Sequence, residues 1–347
     1  MSKKIGVGII GSGAIAQQVH IPGYQKLPNV EVLAVADINP AAAETAATQF
    51  KIPHQFTDYE DLLKMPEIQA VSVCTPNYAH KDATIAAAKA GKHILCEKPI
   101  ALNAREGREM VQVCRANGVK LQIGYCQRFS GNATALKRFI DQGALGEVYY
   151  ARAQALRRRG IPGWGVFTQK DKQGGGPLID IGVHILDLTI HLMGHPKPVS
   201  VSGMSTARFG TREGVLGLMG QWDPKVFTVE DFAVGLVKFA NGAALVLESS
   251  FCANIEKDVM NTQLLGTEGG ATLSPPTLFR EEAGALTVSQ ITTVQQVQSH
   301  HAEIAAFIEA IVNDTEPLVT GEQGLTVARI IDAIYESQET GREVRLA

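Results

Sequence analysis

The sequence predicts an α/β protein of two domains, a doubly wound parallel sheet followed by an α+β domain with an open, mainly antiparallel or mixed sheet. The chain has 347 residues, more than the roughly 250 to 300 at which single cores usually stop growing. Over residues 1–124, short apolar runs alternate with helical patterns. From residue 125 onward, strand patterns follow one another more closely. We therefore expect one domain over 1–124 and a second over 125–347.

The first domain alternates strands and helices. Runs that are apolar throughout are typical of parallel strands covered on both faces, and the intervening helices supply that cover. The predicted strands are Lys4–Ile10, Val30–Ala36, Gln69–Cys74, His93–Cys96 and Lys120–Gly124. The predicted helices are Ala41–Phe50, Tyr78–Ala90 and Asn103–Asn117.

The second domain begins with a helix and a strand and continues into a sheet. Asn241-Gly242 is a hairpin dipeptide between two strand-forming runs, which predicts antiparallel pairing there. The other elements expected in this half are helix Ala133–Gln142, strand Glu147–Arg157, helix Leu178–Met193, strands Asp231–Phe239 and Ala243–Ser250, and helices His300–Val312 and Gly324–Gln338. The last two helices are candidates for packing back on the first domain.

Composition narrows the classes of partner. Hydrophobic residues make up 45% of the chain and charged residues 19%, which is typical of a globular protein. The net charge of −3 offers no field for a nucleic-acid backbone or an anionic membrane. No apolar run approaches the length of a spanning helix or of a signal-peptide core. Five cysteines without a CxxC pair predict buried free thiols, so we expect a cytoplasmic protein with small-molecule partners.

A glycine-rich segment lies between the first strand and the helix after it. Gly11, Ser12, Gly13, Ala14, Ile15 and Ala16 match a GxGxxG/A dinucleotide fingerprint. Glycine at 11 permits the tight turn, Gly13 lets the backbone approach a pyrophosphate, and small Ala16 allows close packing of helix on strand. The N-terminus of the helix then attracts the anion. The alternative is a glycine turn that binds no ligand, or one that binds a mononucleotide.

Two further segments lie at the carboxyl edge of the predicted sheet. Asp37 ends the second strand at the position where an acidic side chain accepts hydrogen bonds from an adenosine ribose, which favours NAD over NADP. A helix N-cap before Pro40 is the structural alternative for Asp37. Thr75, Pro76 and Asn77 follow the strand predicted at Gln69–Cys74, and they are candidates for ligand contact or for a plain turn.

The Glu97-Lys98-Pro99 segment follows the strand predicted at His93–Cys96 directly. A residue before proline is restrained to extended geometry, so the lysine is directed at the edge of the sheet where a nicotinamide would lie. A solvated surface lysine is the alternative interpretation.

Polar residues recur on the helix that follows Gly174-Gly175-Gly176-Pro177. Asp180, His184, Asp187 and His191 fall at helical offsets of 0, 4, 7 and 11, while apolar residues occupy much of the remaining surface. Histidine has an unperturbed pKa of about 6.5 and can exchange a proton at neutral pH, with a carboxylate to orient it. A shared metal ion and a hydrogen-bonded stripe at a domain contact are the alternatives.

A basic segment runs from Arg157 to Lys172. Arg157, Arg158 and Arg159 are able to grip a carboxylate or phosphate, and the indole of Trp164 is able to cover the apolar face of a sugar ring. A solvated basic loop is the alternative for the arginines.

Together these motifs resemble the glucose-fructose oxidoreductase, inositol dehydrogenase and MocA family over nearly the full length. The resemblance rests on Gly11–Ala16, Glu97-Lys98-Pro99, Gly124–Phe129 and Gly174–His184, in this order and at this separation. It implies an N-terminal Rossmann domain and a C-terminal domain whose open sheet often forms the subunit interface, hence a homodimer or homotetramer. It also implies catalytic roles for Lys98, Asp180 and His184, and a cofactor site that extends to Thr75, Pro76, Asn77, His80, Glu97 and Gln127.

The function expected from the resemblance is NAD-dependent hydride transfer at a ring hydroxyl carbon of a sugar, glycoside or cyclitol. His184 would be the general base, Lys98 would orient the hydroxyl and stabilise the developing alkoxide, and Asp180 would position the substrate and His184. Trp164 is a further substrate-binding candidate, and no metal is required. The alternatives are an NAD-assisted glycoside-cleaving or eliminative enzyme and a non-catalytic NAD- and sugar-binding regulatory protein.

Overall fold

The computed structural model describes residues 4–346. Its contacts divide the chain into two compact units, each with its own sheet. The first unit comprises Met1–Cys126 and Gln298–Leu325, and the second comprises Gln127–Val297 and Thr326–Ala347. None of the helices within residues 4–346 is long and apolar enough to cross a membrane.

A six-stranded parallel sheet forms the centre of the first unit, in the order β3-β2-β1-β4-β5-β6. Its strands are β1 (Ile5–Ile10), β2 (Val30–Ala36), β3 (His54–Phe56), β4 (Ile68–Val73), β5 (His93–Cys96) and β6 (Leu121–Ile123). Every ladder is parallel, which confirms the predicted doubly wound sheet. The strand order reverses between β1 and β4, and ligands of such sheets bind beyond the carboxyl ends of the strands at this point.

The helices of this unit match the predicted pattern, with one additional short helix. They are α1 (Ile21–Gln25), α2 (Pro40–Phe50), α3 (Tyr59–Leu63), α4 (His80–Lys89), α5 (Ala104–Ala116) and, from the C-terminal part of the chain, α9 (Ser299–Val312). The edge strand β3 and the helix α3 were not predicted, since both are short and β3 carries no buried residue.

The core of the first unit joins distant parts of the chain. Val7, Val35 and Leu95 from the sheet pack in one buried cluster with Ile304 and Phe307 of α9. Burial of aliphatic and aromatic side chains stabilises a fold by about 1.5–3 kcal/mol per residue. Helix α9 is therefore an integral part of this unit, although it comes late in the sequence.

A nine-stranded mixed sheet forms the centre of the second unit, in the order β14-β13-β12-β11-β7-β10-β9-β8-β15. Its strands are β7 (Val148–Leu156), β8 (Pro198–Thr206), β9 (Phe232–Phe239), β10 (Ala244–Ser250), β11 (Val259–Gly266), β12 (Gly270–Thr272), β13 (Thr277–Glu282), β14 (Ala285–Gln290) and β15 (Val344–Arg345). Only the β7–β10 ladder among these described strands is parallel. The predicted mixed sheet is confirmed.

The hairpin predicted at Asn241-Gly242 joins β9 to β10, with Lys238 opposite Ala244. Gly242 has a φ of +86°, a backbone conformation that glycine adopts without steric cost. Three further helices lie within the span of this unit, namely α6 (Gly131–Asp141), α7 (Lys170–Gln173) and α8 (Val183–Leu192), and α10 (Gly321–Thr340) follows α9.

Candidate active site

The glycine turn of the first unit has the geometry expected of a phosphate-binding loop. Gly11 has a φ of +90°, and a Cβ there would lie 2.8 Å from the carbonyl of Cys74, so only glycine fits. A Cβ at Gly13 would meet nothing within 4 Å. Space is therefore open on the side of Gly13 where a ligand would approach the backbone. Ala16 begins the π-helical segment Ala16–His20, which leads into α1. It is fully buried, as close packing of this segment on the sheet requires.

A cavity of about 510 Å³ lies beyond the carboxyl ends of β1, β2 and β4. This volume is within the usual range for cofactor and ligand sites. The cavity brings together most of the residues predicted to bind the cofactor, and it is lined by Ile10, Gly11, Gly13, Ala14, Ile15, Ala36, Asp37, Ile38, Thr57, Tyr59, Cys74, Thr75, Pro76, Tyr78 and Ala79.

The carboxylate of Asp37 is hydrogen-bonded to the glycine turn. Its Oδ2 accepts hydrogen bonds from the backbone N–H (2.8 Å) and the hydroxyl (2.9 Å) of Ser12, and its Oδ1 accepts one from the N–H of Asn39 (2.9 Å). The helix cap is Asn39, whose side chain accepts from Ala41. The N-cap alternative for Asp37 is therefore wrong, and its carboxylate lines the cavity.

Thr75 offers a second polar group to the same cavity. Its hydroxyl is buried and has no hydrogen-bond partner in the part of the chain that the structure describes, residues 4–346. A buried hydroxyl without a partner is costly unless a ligand or water satisfies it. With the space at Gly13 and the carboxylate of Asp37, this orphaned hydroxyl shows that the residues present fit a dinucleotide.

Three other predicted cofactor residues lie apart from the cavity lining. Asn77 is buried in the turn Asn77–Ala79. The ring of His80 is fully buried, with Nδ1 2.8 Å from the carbonyl oxygen of Pro99 and Nε2 2.9 Å from that of Thr75. His80 therefore links the Thr75 and Lys98 loops. Gln127 belongs to the second unit and lines a different cavity of about 280 Å³.

A buried chain of polar side chains lies behind Lys98. Glu97 Oε1 is 2.8 Å from Nε2 of His20, and the N–H of Lys98 donates to Glu97 Oε2 at 3.2 Å. Nδ1 of His20 is 3.0 Å from the hydroxyl of Ser72, which is also 2.8 Å from the hydroxyl of Tyr24. The chain thus connects the helix after the glycine turn to the backbone that carries Lys98.

Glu97 remains ionised in this setting. Burial alone raises the pKa of a carboxyl group, but the hydrogen bond and charge of His20, together with Lys98 and His300, outweigh burial and lower the pKa of Glu97 to about 2. Glu97 was expected to contact the cofactor, whereas His20 was not among the predicted site residues. A histidine one turn after a glycine fingerprint was the available signal.

In the second unit, Asp180 and His184 lie at the junction of two helical geometries. Leu178–Gly182 is a π-helical turn that continues directly into α8, and such turns are frequent at functional sites. Asp180 is buried, and Nη1 of Arg157 lies 3.5 Å from its Oδ2. The predicted offsets of 0, 4, 7 and 11 assumed a regular α-helix. The π-helical turn therefore gives Asp180 a different angular position relative to His184 from the predicted one.

Glu230 holds the glycine loop that precedes this turn. Its carboxylate accepts hydrogen bonds from the N–H groups of Gly176 (3.0 Å) and Leu178 (3.1 Å) and from the hydroxyl of Tyr335 (3.0 Å). Burial raises the pKa of Glu230, and these donors only partly oppose the effect. Sequence reasoning missed Glu230, because its partners lie more than 50 residues away in the chain.

The remaining members of the polar stripe have structural partners. Asp187 accepts two hydrogen bonds from the guanidinium of Arg128, at 2.8 and 2.6 Å, in a fully buried ion pair. Nδ1 of His191 lies 3.3 Å from Nε2 of His195. Within residues 4–346, no group of three His, Cys, Asp or Glu side chains is placed to hold a metal ion. Asp187 and His191 thus serve packing, while Asp180 and His184 remain candidates for chemistry.

The basic segment is partly ordered by its own contacts. Arg157 bonds to the carbonyl of Gly160 as well as to Asp180, and Arg159 bonds to the carbonyl of Ala253 at 2.9 Å. Trp164 is 54% exposed and makes an edge contact with Phe167 at 6.3 Å between ring centroids. The indole therefore has a free face.

A parallel sheet with this glycine turn, an acidic residue after β2 and a second α/β unit defines an NAD(P)-dependent oxidoreductase. Residues 5–125 match the family model described as the oxidoreductase family, NAD-binding Rossmann fold. Residues 137–346 match the model of the oxidoreductase family, C-terminal alpha/beta domain. The chain belongs to this family, known as Gfo/Idh/MocA, as the sequence motifs predicted.

Several relatives are similar over essentially the whole chain. D-glucoside 3-dehydrogenase of Escherichia coli (strain K12) is 37% identical over 99% of this chain and 98% of its own. Inositol 2-dehydrogenase of Rhizobium meliloti (strain 1021) is 26% identical over 98% of both. A levoglucosan dehydrogenase solved with NADH and levoglucosan superposes with a TM-score of 0.87 over 99% of both chains at 24% identity, which supports the fold.

Proposed function

We propose that the protein is an NAD-dependent dehydrogenase that moves hydride between a ring hydroxyl carbon of a sugar, glycoside or cyclitol and the nicotinamide. The observation that carries the proposal is the 37% identity, over nearly the full length of both chains, to a protein named D-glucoside 3-dehydrogenase. The motif residues Lys98, Asp180 and His184 are all present in this chain. A regulatory protein that only binds ligand has no need of this set.

Within this proposal the chain supplies positioning and proton transfer. His184 accepts the hydroxyl proton as general base, and Asp180 orients substrate and base. Lys98 donates a hydrogen bond to the hydroxyl and stabilises negative charge as it develops on that oxygen. Bound NAD supplies the hydride acceptor. Glu97 and Glu230 each act as a backbone clamp, that is, a buried carboxylate that accepts hydrogen bonds from backbone N–H groups. These clamps support the assignments, because each fixes the backbone near a proposed catalytic residue.

The cofactor proposal favours NAD over NADP. The Asp37 carboxylate lines the cavity and is fixed by Ser12 and Asn39. A 2′-phosphate there would meet a negative charge, and no arginine follows in Ile38-Asn39-Pro40 to offset it. We expect a dissociation constant for NAD at least tenfold below that for NADP, measured by titration of each into the apo protein. Tighter binding of NADP would contradict the role given to Asp37.

We further propose a cofactor domain over 1–124 and a substrate and oligomerisation domain over 125–347 from which helix α9 packs back into the core of the first unit. We also propose a homodimer or homotetramer formed through the nine-stranded sheet. Large apolar side chains are exposed on these strands, including Met204, Phe279, Leu286 and Val288, as an interface would require. All five cysteines are buried free thiols, which supports a cytoplasmic setting.

The test is an assay of NADH absorbance with glucosides, free aldoses and inositols, each at saturating NAD. Oxidation of at least one glucoside or cyclitol with stoichiometric NADH is expected. Cleavage of a glycoside without net NADH would instead favour the redox-assisted alternative. Binding of NAD and sugar without any turnover would overturn the proposal in favour of a regulatory role.

A further inference from the structure

A second cavity lies in the unit that carries Asp180, in the loops beyond the end of β7. Its volume is about 590 Å³, and it is formed by the loop after β7, the long loop before β9 and the turn after β10. It is lined by Arg158, Arg159, Phe209, Arg212, Glu213, Gly214, Val215, Leu216, Leu218 and Asn254. The catalytic proposal gives this cavity no role.

The cavity has three arginines and one glutamate in its lining, so positive charge is in excess there. Within residues 4–346, no carboxylate lies within ion-pair distance of the guanidinium of Arg158, Arg159 or Arg212, and Glu213 pairs with none of them. On the neighbouring sheet, by contrast, Arg152 bonds to Glu248 at 2.7 Å. Three unpaired guanidinium groups around one cavity repel each other and favour a bound anion.

The arginines are held in place before any ligand arrives. Arg159 donates to the carbonyl of Ala253 at 2.9 Å and to Oδ1 of Asn254 at 2.6 Å. The guanidinium groups of Arg159 and Arg212 both lie over the ring of Phe209, at 5.4 and 6.0 Å from its centroid. Cation–π contacts of this kind restrict the side chains but leave N–H donors available.

The backbone under Phe209 is fixed as well. The carboxylate of Asp231 accepts hydrogen bonds from the N–H groups of Arg208, Phe209 and Gly210. The N–H of Leu218 donates to the carbonyl of Arg159 at 2.9 Å, which ties the two cavity loops together. Preorganised donors reduce the entropy cost of binding.

The loop after β7 connects the cavity to the proposed substrate site. Arg157, whose guanidinium lies 3.5 Å from Asp180, directly precedes two of the arginines that line the cavity. Successive Cα atoms are about 3.8 Å apart, so the backbone of Arg159 is within about 8 Å of that of Arg157. A substrate held at Asp180 would have to extend past Arg157 to place a charged group in the cavity.

We propose that this cavity binds an anionic oxo group of the substrate, a carboxylate, phosphate or sulfate. The inference rests on the proposed function and narrows its substrate class to acidic sugars or glycosides. Arg158, Arg159 and Arg212 supply the charge and the N–H donors. The exposed side chains of Leu216 and Leu218 provide an apolar rim for the part of the substrate that carries the group.

The first test compares matched neutral and acidic substrates. One arm uses glucose and glucose 6-phosphate, and the other uses a glucoside with a neutral aglycone and its carboxylated counterpart. In at least one arm the acidic compound should have a kcat/KM about tenfold higher or more, as one charge-assisted contact provides. Arg212→Gln should reduce this acidic-to-neutral ratio about tenfold, mainly through KM. No preference for the acidic compound in either arm overturns the inference.

Arg208→Gln is the matched control. It removes the same charge from the same loop, but Arg208 is exposed and does not line the cavity. The ratio should therefore stay at the wild-type value. An equal fall in both variants would show a general charge effect and contradict a defined site.

Calorimetric titration with inorganic phosphate separates failure of this inference from failure of the proposed function. Wild type and Arg208→Gln should bind phosphate, Arg212→Gln should bind it at least tenfold more weakly, and phosphate should compete with the acidic substrate. Binding of phosphate by a protein that oxidises no sugar would remove the proposed function and leave an anion site. Phosphate binding without competition would make the cavity an effector site and overturn the substrate assignment.

Discussion

Each unit has a buried carboxylate that fixes the backbone near a proposed catalytic residue, but the two carboxylates have different partners. In the first, Glu97 fixes the Lys98 backbone and is paired with His20. In the second, Glu230 fixes the loop before Asp180 and accepts from two backbone N–H groups and the hydroxyl of Tyr335. The pKa of Glu97 falls to about 2, whereas burial raises that of Glu230. A buried carboxylate therefore fixes the backbone with or without a histidine partner, but the direction of its pKa shift differs between the two settings.

The two carboxylates also differ in what the loss of one partner should cost. An ion pair in a buried site loses much of its Coulomb attraction to desolvation, yet removal of one partner leaves an uncompensated charge. A carboxyl group that accepts from amides and a hydroxyl carries a smaller penalty when one donor is removed. The Lys98 loop should consequently be the more sensitive of the two to single substitutions behind it.

The largest effect is expected from substitution of the proposed catalytic residues, which lie near the loops that Glu97 and Glu230 fix. His184→Ala removes the proposed proton acceptor, so kcat for sugar oxidation should fall by about 10² to 10⁴, with NAD affinity nearly unchanged. The acidic limb of the pH–rate profile should disappear with it. Steady-state kinetics on a confirmed substrate measure both. Wild-type turnover and an unchanged profile would show that His184 is structural.

Lys98→Ala should lower kcat as well, but it should also raise KM, since this lysine is proposed to contact the substrate hydroxyl in the ground state and in the transition state. The two variants thus distinguish the contributions of the two loops. A defect in Lys98→Ala confined to kcat would assign the lysine to the transition state alone.

The next effect compares the two clamps directly through stability. His20→Ala leaves Glu97 buried without its partner and should lower the free energy of unfolding by about 3 to 5 kcal/mol. Tyr335→Phe removes one neutral donor from Glu230 and should cost about 1 kcal/mol. Urea unfolding measures both, with His54→Ala, at an exposed position of the first unit, as the control. Equal losses of unfolding free energy for His20→Ala and Tyr335→Phe would show that the two clamps do not differ in sensitivity to loss of a partner.

A smaller effect concerns pH. Because the folded-state pKa of Glu97 is lowered from 4.5 to about 2, its contribution to stability is present above about pH 4.5 and is lost as the pH falls toward 2. Glu230 has a raised folded-state pKa, so its contribution is present below about pH 4.5 and declines as the pH rises through the folded value. Unfolding free energies of Glu97→Gln and Glu230→Gln across this range should deviate from wild type with opposite slopes.

The smallest expected effect is that of a chelator. Two residues of the polar stripe, Asp187 and His191, have protein partners in Arg128 and His195, so the second unit should need no ion to hold its helix. Dialysis against EDTA should leave kcat within about twofold. Loss of activity that a divalent ion restores would promote the metal alternative.

Much of this architecture follows from local patterns in the sequence. Apolar strand runs and the glycine turn predict the parallel sheet, and Asn241-Gly242 predicts the hairpin, because each depends on neighbouring residues alone. The order of the nine strands and the pairing of Asp187 with Arg128, 59 residues away, depend on long-range packing that no local pattern encodes. The angular spacing of the polar stripe was not predictable for a related reason, since the offsets assumed a regular α-helix and Leu178–Gly182 is a π-helical turn.

Helix α9 is translated long after the N-terminal part of the first unit. Its side chains Ile304 and Phe307 complete the cluster around Val7 and Leu95, yet the whole segment Gln127–Val297 is translated between them. At about 5 to 20 residues per second, that interval is roughly 10 to 30 s. Throughout it, the apolar surface that α9 will cover stays exposed on the nascent chain, so chaperone binding matters most before the ribosome reaches residue 304.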